Sequence, residues 1–286
     1  MRRLLFILIL CLPASAQIKP MLGTPMDYSN PLTDGLIFYM PFNEATGNRV
    51  NDVSGNGHAG TFSSASVTWA STLRGRAVKF DGTGDYIDCG AGFNLSAITL
   101  SAWVRCDSIV DSYPRIIGSE GDWSIYIHST GLMGWYGSGT DYAFSLVSFH
   151  DLRDGKWHHV CVTYGTDAYV HGYVDCVYVG SVTLASGLDA SATVAIGGRV
   201  DGGRTLNGCV AEAAIYNRAL SPSEIKSLYD DPYQLFAEDD IQYVEAGEEP
   251  AGTGQVIMMG SLIPLLLIFA RLRRTEARLR QWRGLF

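Results

Sequence analysis

Between residues 32 and 236 the chain is a succession of short β-rich stretches cut by Gly, Asp, Asn and Ser, and this punctuation restricts its fold more than any other feature. The stretches are 35–41, 77–80, 86–89, 98–105, 115–119, 123–128, 132–136, 157–164, 168–174, 177–181, 193–197 and 208–216. They are rich in β-branched and aromatic residues or alternate apolar with polar ones, the period of a strand with one buried face. Almost no 3.6-residue periodicity lies between them. The pattern predicts an all-β sandwich or barrel. One helix is predicted, Pro222 to Tyr229, with Ser221 as its cap, Pro222 at its first position and a stop before Pro232.

Composition agrees with an extracellular β protein: 32 glycines and 15 tyrosines accompany only 17% charged residues. A formal net charge of −8, with no basic-aromatic patch in the central region, argues against nucleic acid as a partner. The chain ends carry their own signals. Arg2 and Arg3, the apolar run Leu4 to Leu12 and the small residues Ala14, Ser15 and Ala16 form a secretory signal peptide over residues 1–16, leaving Gln17 as the mature N-terminus. Residues 17–31 read as a leader and 32–236 as the domain. An acidic linker, 237–254, carries Glu238, Asp239, Asp240, Glu245, Glu248 and Glu249. An apolar helical segment, 255–272, and a basic tail, 273–286, follow it. Acids on one flank and arginines on the other make 255–272 a stop-transfer anchor, with the arginines cytoplasmic. The alternative is a helix lying on a membrane or a partner, since Leu272, Leu279 and Trp282 continue the apolar stripe into the basic tail. The localisation expected is therefore export, with the domain outside and residues 255–286 holding it to a membrane.

Several segments resemble, in order and spacing, the laminin-G-like, concanavalin A-like lectin and glucanase family. They are LIFYMPFNE at 36–44, DVSGNGHAG at 52–60, GRAVKFDG at 75–82 with Asp85-Tyr86-Ile87, and ITLSAWV at 98–104. DGKWHHV at 154–160, the Tyr173–Asp175 segment, and 208–216 leading into NRALSPSEI at 217–225 continue the series. The resemblance implies a two-sheet antiparallel jelly-roll sandwich with one short C-terminal helix. Trp103 and Trp157 are expected as its large buried aromatics. His158 and His159, being adjacent, should face opposite sides of one strand, one inward and one to water, and so serve structure. Asp175-Cys176 stands in a hairpin turn where the family more often has Asp-Gly, at a local cost.

Five cysteines survive processing, with no zinc-ligand spacing. In an oxidising compartment Cys161 and Cys176, on consecutive predicted strands, are the first pair expected to bridge. Asp52, Ser54 and Asn56 place oxygens at alternate positions before Gly57, the opening of a Ca2+ loop, or else ordinary side-chain-to-backbone turn bonds. Ser63 stands where a Ca2+ loop would carry its bidentate Glu, so Asp81, Asp85 or Asp201 would have to complete a site.

Retaining glucanases of this fold place acids at alternating strand positions. The sole comparable run here, Glu120-Gly-Asp-Trp-Ser124, lacks the further acid. No sialidase box, nucleophile elbow or zinc-protease helix occurs. The function expected is thus a non-catalytic recognition module for a glycan or an extracellular protein surface, with Trp123, Tyr126, Trp135, Tyr136 and Tyr142 as ligand-contacting rings. The alternatives are a structural decoration of a cell or virion surface and a degenerate glycoside hydrolase.

Overall fold

The computed structural model describes residues 19–119, 123–137, 139–144, 151–184, 187–188 and 193–237. β1 (Leu36–Met40), β2 (Arg49–Val50), β3 (Gly60–Phe62), β4 (Thr68–Thr72), β5 (Gly75–Asp81) and β6 (Ile87–Asp88) lead into the long β7 (Ile98–Ser108). β8 (Arg115–Ser119), β9 (Trp123–Ile127), β10 (Met133–Gly137) and β11 (Thr140–Ala143) follow as successive antiparallel neighbours. β12 (Trp157–Tyr164), β13 (Tyr169–Val174) and β14 (Val177–Thr183) make a second meander. β15 (Val194–Ile196) and β16 (Asn207–Tyr216) then precede α1 (Pro222–Asp230).

The strands form two eight-stranded antiparallel sheets. Sheet I has the order β14–β13–β12–β7–β16–β5–β4, with β1 also paired to β16, and sheet II has the order β11–β10–β9–β8–β15–β6–β3–β2. All twelve predicted stretches are strands. β2, β3, β4 and β11 were not predicted, because they are short and partly polar and only their cross-strand partners make them strands. α1 begins as expected. The Ser221 hydroxyl accepts from the Glu224 amide and Glu224 reaches back to the Ser221 amide, a capping box that satisfies two otherwise orphaned donors.

The core lies between the sheets. On β7, Ile98, Leu100, Ala102 and Val104 point into it, as do Trp123, Ile125 and Ile127 on β9 and Met133 and Trp135 on β10. Each fully buried large side chain there contributes about 1.5–3 kcal/mol. The alternation fixes which tryptophans are core. Trp103 lies one residue out of phase with Ala102 and Val104, so it faces away from the core, packed with Ala77, Cys209 and Ala211, and Trp157 packs against the same small cluster. Trp103 is thus buried as expected, though on the outward face of sheet I, where Trp157 is only partly buried.

That outward face is covered. α1 lays Ile225 and Leu228 on it, with Tyr233, Leu235 and Phe236 from the segment beyond. Residues 19–31 also pack here. Asp27 N donates to Leu235 O at 2.8 Å, Ala237 N donates to Pro25 O at 2.9 Å, and Met26 bridges Phe236.

The Cys161–Cys176 bridge is absent: both thiols are free, as are Cys89, Cys106 and Cys209. Cys161 sits opposite Tyr173 on the neighbouring strand, while Cys176 lies three residues beyond that partner, in the turn. Three residues of strand are about 10 Å, and a disulfide needs Cα atoms within about 7 Å. The turn itself is as expected. Asp175 and Cys176 have φ of 50° and 58°, a conformation that suits Gly better than Cys.

The signal peptide, the acidic linker, the apolar segment 255–272 and the basic tail lie outside the described residues. Among the described residues no helix is long and apolar enough to cross a membrane.

Candidate functional site

The outward face of sheet II is built differently. Arg115 and Tyr126 are cross-strand partners there, as are Tyr126 and Gly134, and Ser124 and Tyr136. Gly134 is required by this pairing, because a β-carbon on it would fall inside the Tyr126 ring. Tyr126 therefore lies flat over the next strand. Tyr113 meets Tyr126 edge-on, with ring centres 5.4 Å apart at 78°, and His128 stands 5.1 Å beyond Tyr113.

Two arginines frame these rings. The Arg115 guanidinium is 5.1 Å from the Tyr136 ring centre, and Arg204 lies 5.5 Å from Tyr113 and 5.8 Å from Tyr136. Arg204 is also paired with Asp141, donating at 3.0 and 3.4 Å to its two carboxylate oxygens. The loops that carry the site are stitched together, since Arg115 N donates to Arg204 O at 2.8 Å and Thr205 N to Asp111 Oδ2 at 3.1 Å. Tyr113 and Arg204 both hold left-handed backbone angles, φ 59° and 52°. Non-glycine residues take that region at a cost of about 1–2 kcal/mol, which the packing around them must offset.

Burial, with the nearby Asp141 charge, pushes the Tyr126 phenol well above its ordinary pKa, so it stays neutral and donates to Tyr142 O at 3.0 Å. Tyr113, Tyr136 and Arg204 are half-buried and Asp141 is exposed. The result is a surface of two half-buried tyrosines and one carboxylate–guanidinium pair, resting on the buried Tyr126 and Arg115.

Of the five rings expected to contact a ligand, the structure brings Tyr126 and Tyr136 together on this face, where Tyr136 is half-buried and Tyr126 has 0% exposure. Trp123 and Trp135 are core residues with 0% exposure, and the partly buried Tyr142 packs against the same core. Alternation decides the split: Trp123, Trp135 and Tyr142 share the inward phase of their strands. Tyr113, Arg115, Asp141 and Arg204 were not anticipated. Tyr113 and Arg204 sit in loops, and only the fold brings them to the strands. Glu120 and Asp122, the acids weighed for hydrolysis, lie outside the described residues.

The Asp52 loop uses its oxygens internally. Asp52 Oδ1 accepts from Tyr39 N and Ser54 N at 3.0 and 2.9 Å, and Oδ2 from His58 N at 3.0 Å. Ser54 Oγ donates to Ile37 O at 3.0 Å and accepts from Asn56 Nδ2 at 3.0 Å. These bonds pin the loop to β1 by turn chemistry. Asp85, weighed as a further ligand, is fully buried and accepts from Ser64, Ser66 and the Asp81 amide.

His158 and His159 do face opposite sides of β12, but neither meets open water. The ring nitrogens of His158 lie 2.7 Å from Asp175 Oδ2 and 3.1 Å from Asp154 Oδ1. Burial opposes its charge, and the two carboxylates outweigh that, so its pKa is raised. His159 is completely enclosed beside Trp103 and is lowered to about 4 by burial.

Residues 81–226, just over half of the chain, match the family described as the concanavalin A-like lectin/glucanases superfamily, in its laminin G branch. The chain belongs to that superfamily. No curated protein matches it by sequence. Among solved structures, the binding domain of Paraclostridial Mosquitocidal Protein 1 superposes with TM-score 0.55 at 19% identity, over 69% of this chain and 52% of that one. Domain 4 of AbnA, an extracellular arabinanase from Geobacillus stearothermophilus in complex with arabinotriose, gives 0.56 at 21% identity, over 68% of this chain and 98% of that one. Trypanosoma rangeli sialidase with 2,3-difluorosialic acid gives 0.53 at 19%, over 79% and 37%. This chain thus spans about half the length of the toxin chain and less of the sialidase. At these identities the likeness is one of fold.

Proposed function

We propose that the protein is a non-catalytic glycan-binding module whose ligand lies on the outward face of sheet II, across Tyr113 and Tyr136, with Asp141 and Arg204 at the rim. The observation that carries this is the pair of half-buried tyrosines, Tyr113 and Tyr136, beside the accessible Asp141–Arg204 pair, all seated on the buried Tyr126 and Arg115. Ring faces pack against the apolar C–H face of a sugar, and a carboxylate–guanidinium pair offers both acceptors and donors to neighbouring hydroxyls. The arabinotriose complex of the arabinanase domain, which is of similar size to this one, supports the class of ligand. The mosquitocidal binding domain supports a recognition role. Retaining hydrolysis needs two carboxyl groups about 5–5.5 Å apart, and nothing in the described site supplies such a pair.

We further propose that the module is exported and held at a membrane by residues 255–286, as the Arg2-Arg3 leader and the apolar-basic tail indicate. Residues 17–239, applied to an array of arabino-oligosaccharides, β-glucans and sialylated glycans, test the first proposal. Binding by the parent, lost in Tyr136→Ala and Arg204→Ala, is expected. Silence across the array, with or without Ca2+, would favour a structural surface role instead. Membrane fractionation with and without residues 255–286 tests the second: the full chain should pellet and the truncated one should not.

A further inference from the structure

Beneath α1, on the outward face of sheet I, lies a cavity of about 20 Å3 whose wall includes Ser101, Trp103, His159 and Glu212. Its position follows from a bulge. The register of β16 against β7 shifts between Val210 and Glu212. Val210 and Ala213 face the core, so both intervening residues, Ala211 and Glu212, turn outward. Glu212 is therefore 3% exposed beneath the C-terminal segment, with Lys19 Nζ at 3.8 Å and Arg74 Nε at 3.7 Å.

Three side chains on the cavity wall carry a buried polar atom that lacks a hydrogen bond: Trp103 Nε1, His159 Nδ1 and Glu212 Oε2. Trp103 can only donate, Glu212 can only accept, and a neutral His159 does either through Nδ1. The other ring nitrogen of His159 is already 2.8 Å from Ser101 Oγ. Buried polar groups left unpaired cost about 1–3 kcal/mol each, and three around one space point to a shared partner.

We infer that this cavity binds one internal water molecule, which accepts from the Trp103 indole and donates to Glu212, with His159 Nδ1 as its third contact. The volume suffices, since a water needs about 10–15 Å3. Charge selects water over an ion. A cation would be a third positive group beside Lys19 and Arg74, and an anion would face Glu212 directly. The water would fasten the C-terminal segment to the sheet: Leu228, Pro232 and Leu235 form its roof, β7, β12 and β16 its floor.

Ser101→Thr tests this in the full chain. The substitution keeps the hydroxyl that faces His159 and adds one methyl group about the size of a water. Filling a dry cavity raises the unfolding temperature, whereas expelling a bound water strands polar groups and lowers it. Oxygen-17 magnetic relaxation dispersion should count one long-lived water fewer in the variant, and its unfolding temperature should fall by about 2–6 °C. An unchanged water count, or a raised unfolding temperature, overturns the inference. Trp103→Phe provides the second arm should Ser101→Thr not fold, because it keeps a ring and removes the donor. A shortened residence time for one internal water is expected, and an unchanged one again overturns it.

Discussion

The two sheets share one core, yet their outward faces have opposite fates. Sheet I is roofed by α1 and by both ends of the domain, and it buries His159 and Glu212 under that roof with the partly exposed Lys19 and Arg74 beside them. Sheet II buries Tyr126 and Arg115 as well, yet leaves Tyr113, Tyr136 and Arg204 half-buried and Asp141 exposed above them. Both faces mix aromatic rings with charge, so residue type does not distinguish them. Coverage does. Charges that are buried must be matched within the protein and act on stability, whereas charges at a rim remain available to a ligand.

The largest effect expected from this contrast is at Glu212. Glu212→Ala leaves Lys19 and the partly exposed Arg74 without their carboxylate, and removing one partner of a buried pair costs about 3–5 kcal/mol. Urea unfolding should show that loss while glycan binding by the folded fraction is unchanged. An effect below about 1 kcal/mol would mean that the roof is looser than the structure makes it.

Acid comes next. His159 is lowered to about 4, so as pH falls the unfolded imidazole, near 6.5, takes its proton first. The folded state then loses stability between about pH 6.5 and 4, by up to about 3 kcal/mol at ~1.4 kcal/mol per unit. His158 has the reverse sign. Its raised pKa gives a contribution that is fully present below about 6.5 and is lost as pH rises through its folded value. Urea unfolding across pH should show the acid slope in the parent and a shallower one in His159→Gln. An identical slope in the two proteins would place the acid sensitivity elsewhere.

On sheet II the expectation inverts. Tyr136→Ala and Arg204→Ala should weaken glycan binding at least tenfold, about 1.4 kcal/mol, and change stability by less than about 1 kcal/mol. Titration calorimetry and thermal unfolding separate the two readouts. A large stability loss without a binding change would make this face structural as well. The smallest effect is at the β13–β14 turn of sheet I, where Cys176→Gly should stabilise by about 1 kcal/mol, since glycine takes its left-handed angle without strain. A neutral result in thermal unfolding would show that the strain is already relieved.

Much of the fold was legible because strand period and turn chemistry are local. The Ser221-Pro222 helix start, the Asp175-Cys176 turn and the twelve predicted strands all depend on neighbours in sequence. The site was legible only in part. The sequence places Trp123, Tyr126, Trp135 and Tyr136 in one aromatic stretch, and alternation then sends the tryptophans inward and the tyrosines outward. Tyr113 and Arg204 join them only where two distant loops are stitched by the Arg115 N–H bond to Arg204 O.

By itself, then, the sequence determined an all-β sandwich, its turns and its closing helix, because each follows from residues a few positions apart. Which face is covered, which tryptophans are core, that residues 19–31 pack on sheet I and that Glu212 turns outward were decided by tertiary structure. The reason is physical: a face is buried or open according to what packs on it from elsewhere in the chain, and a one-residue bulge reverses an alternation that the sequence alone reads as unbroken.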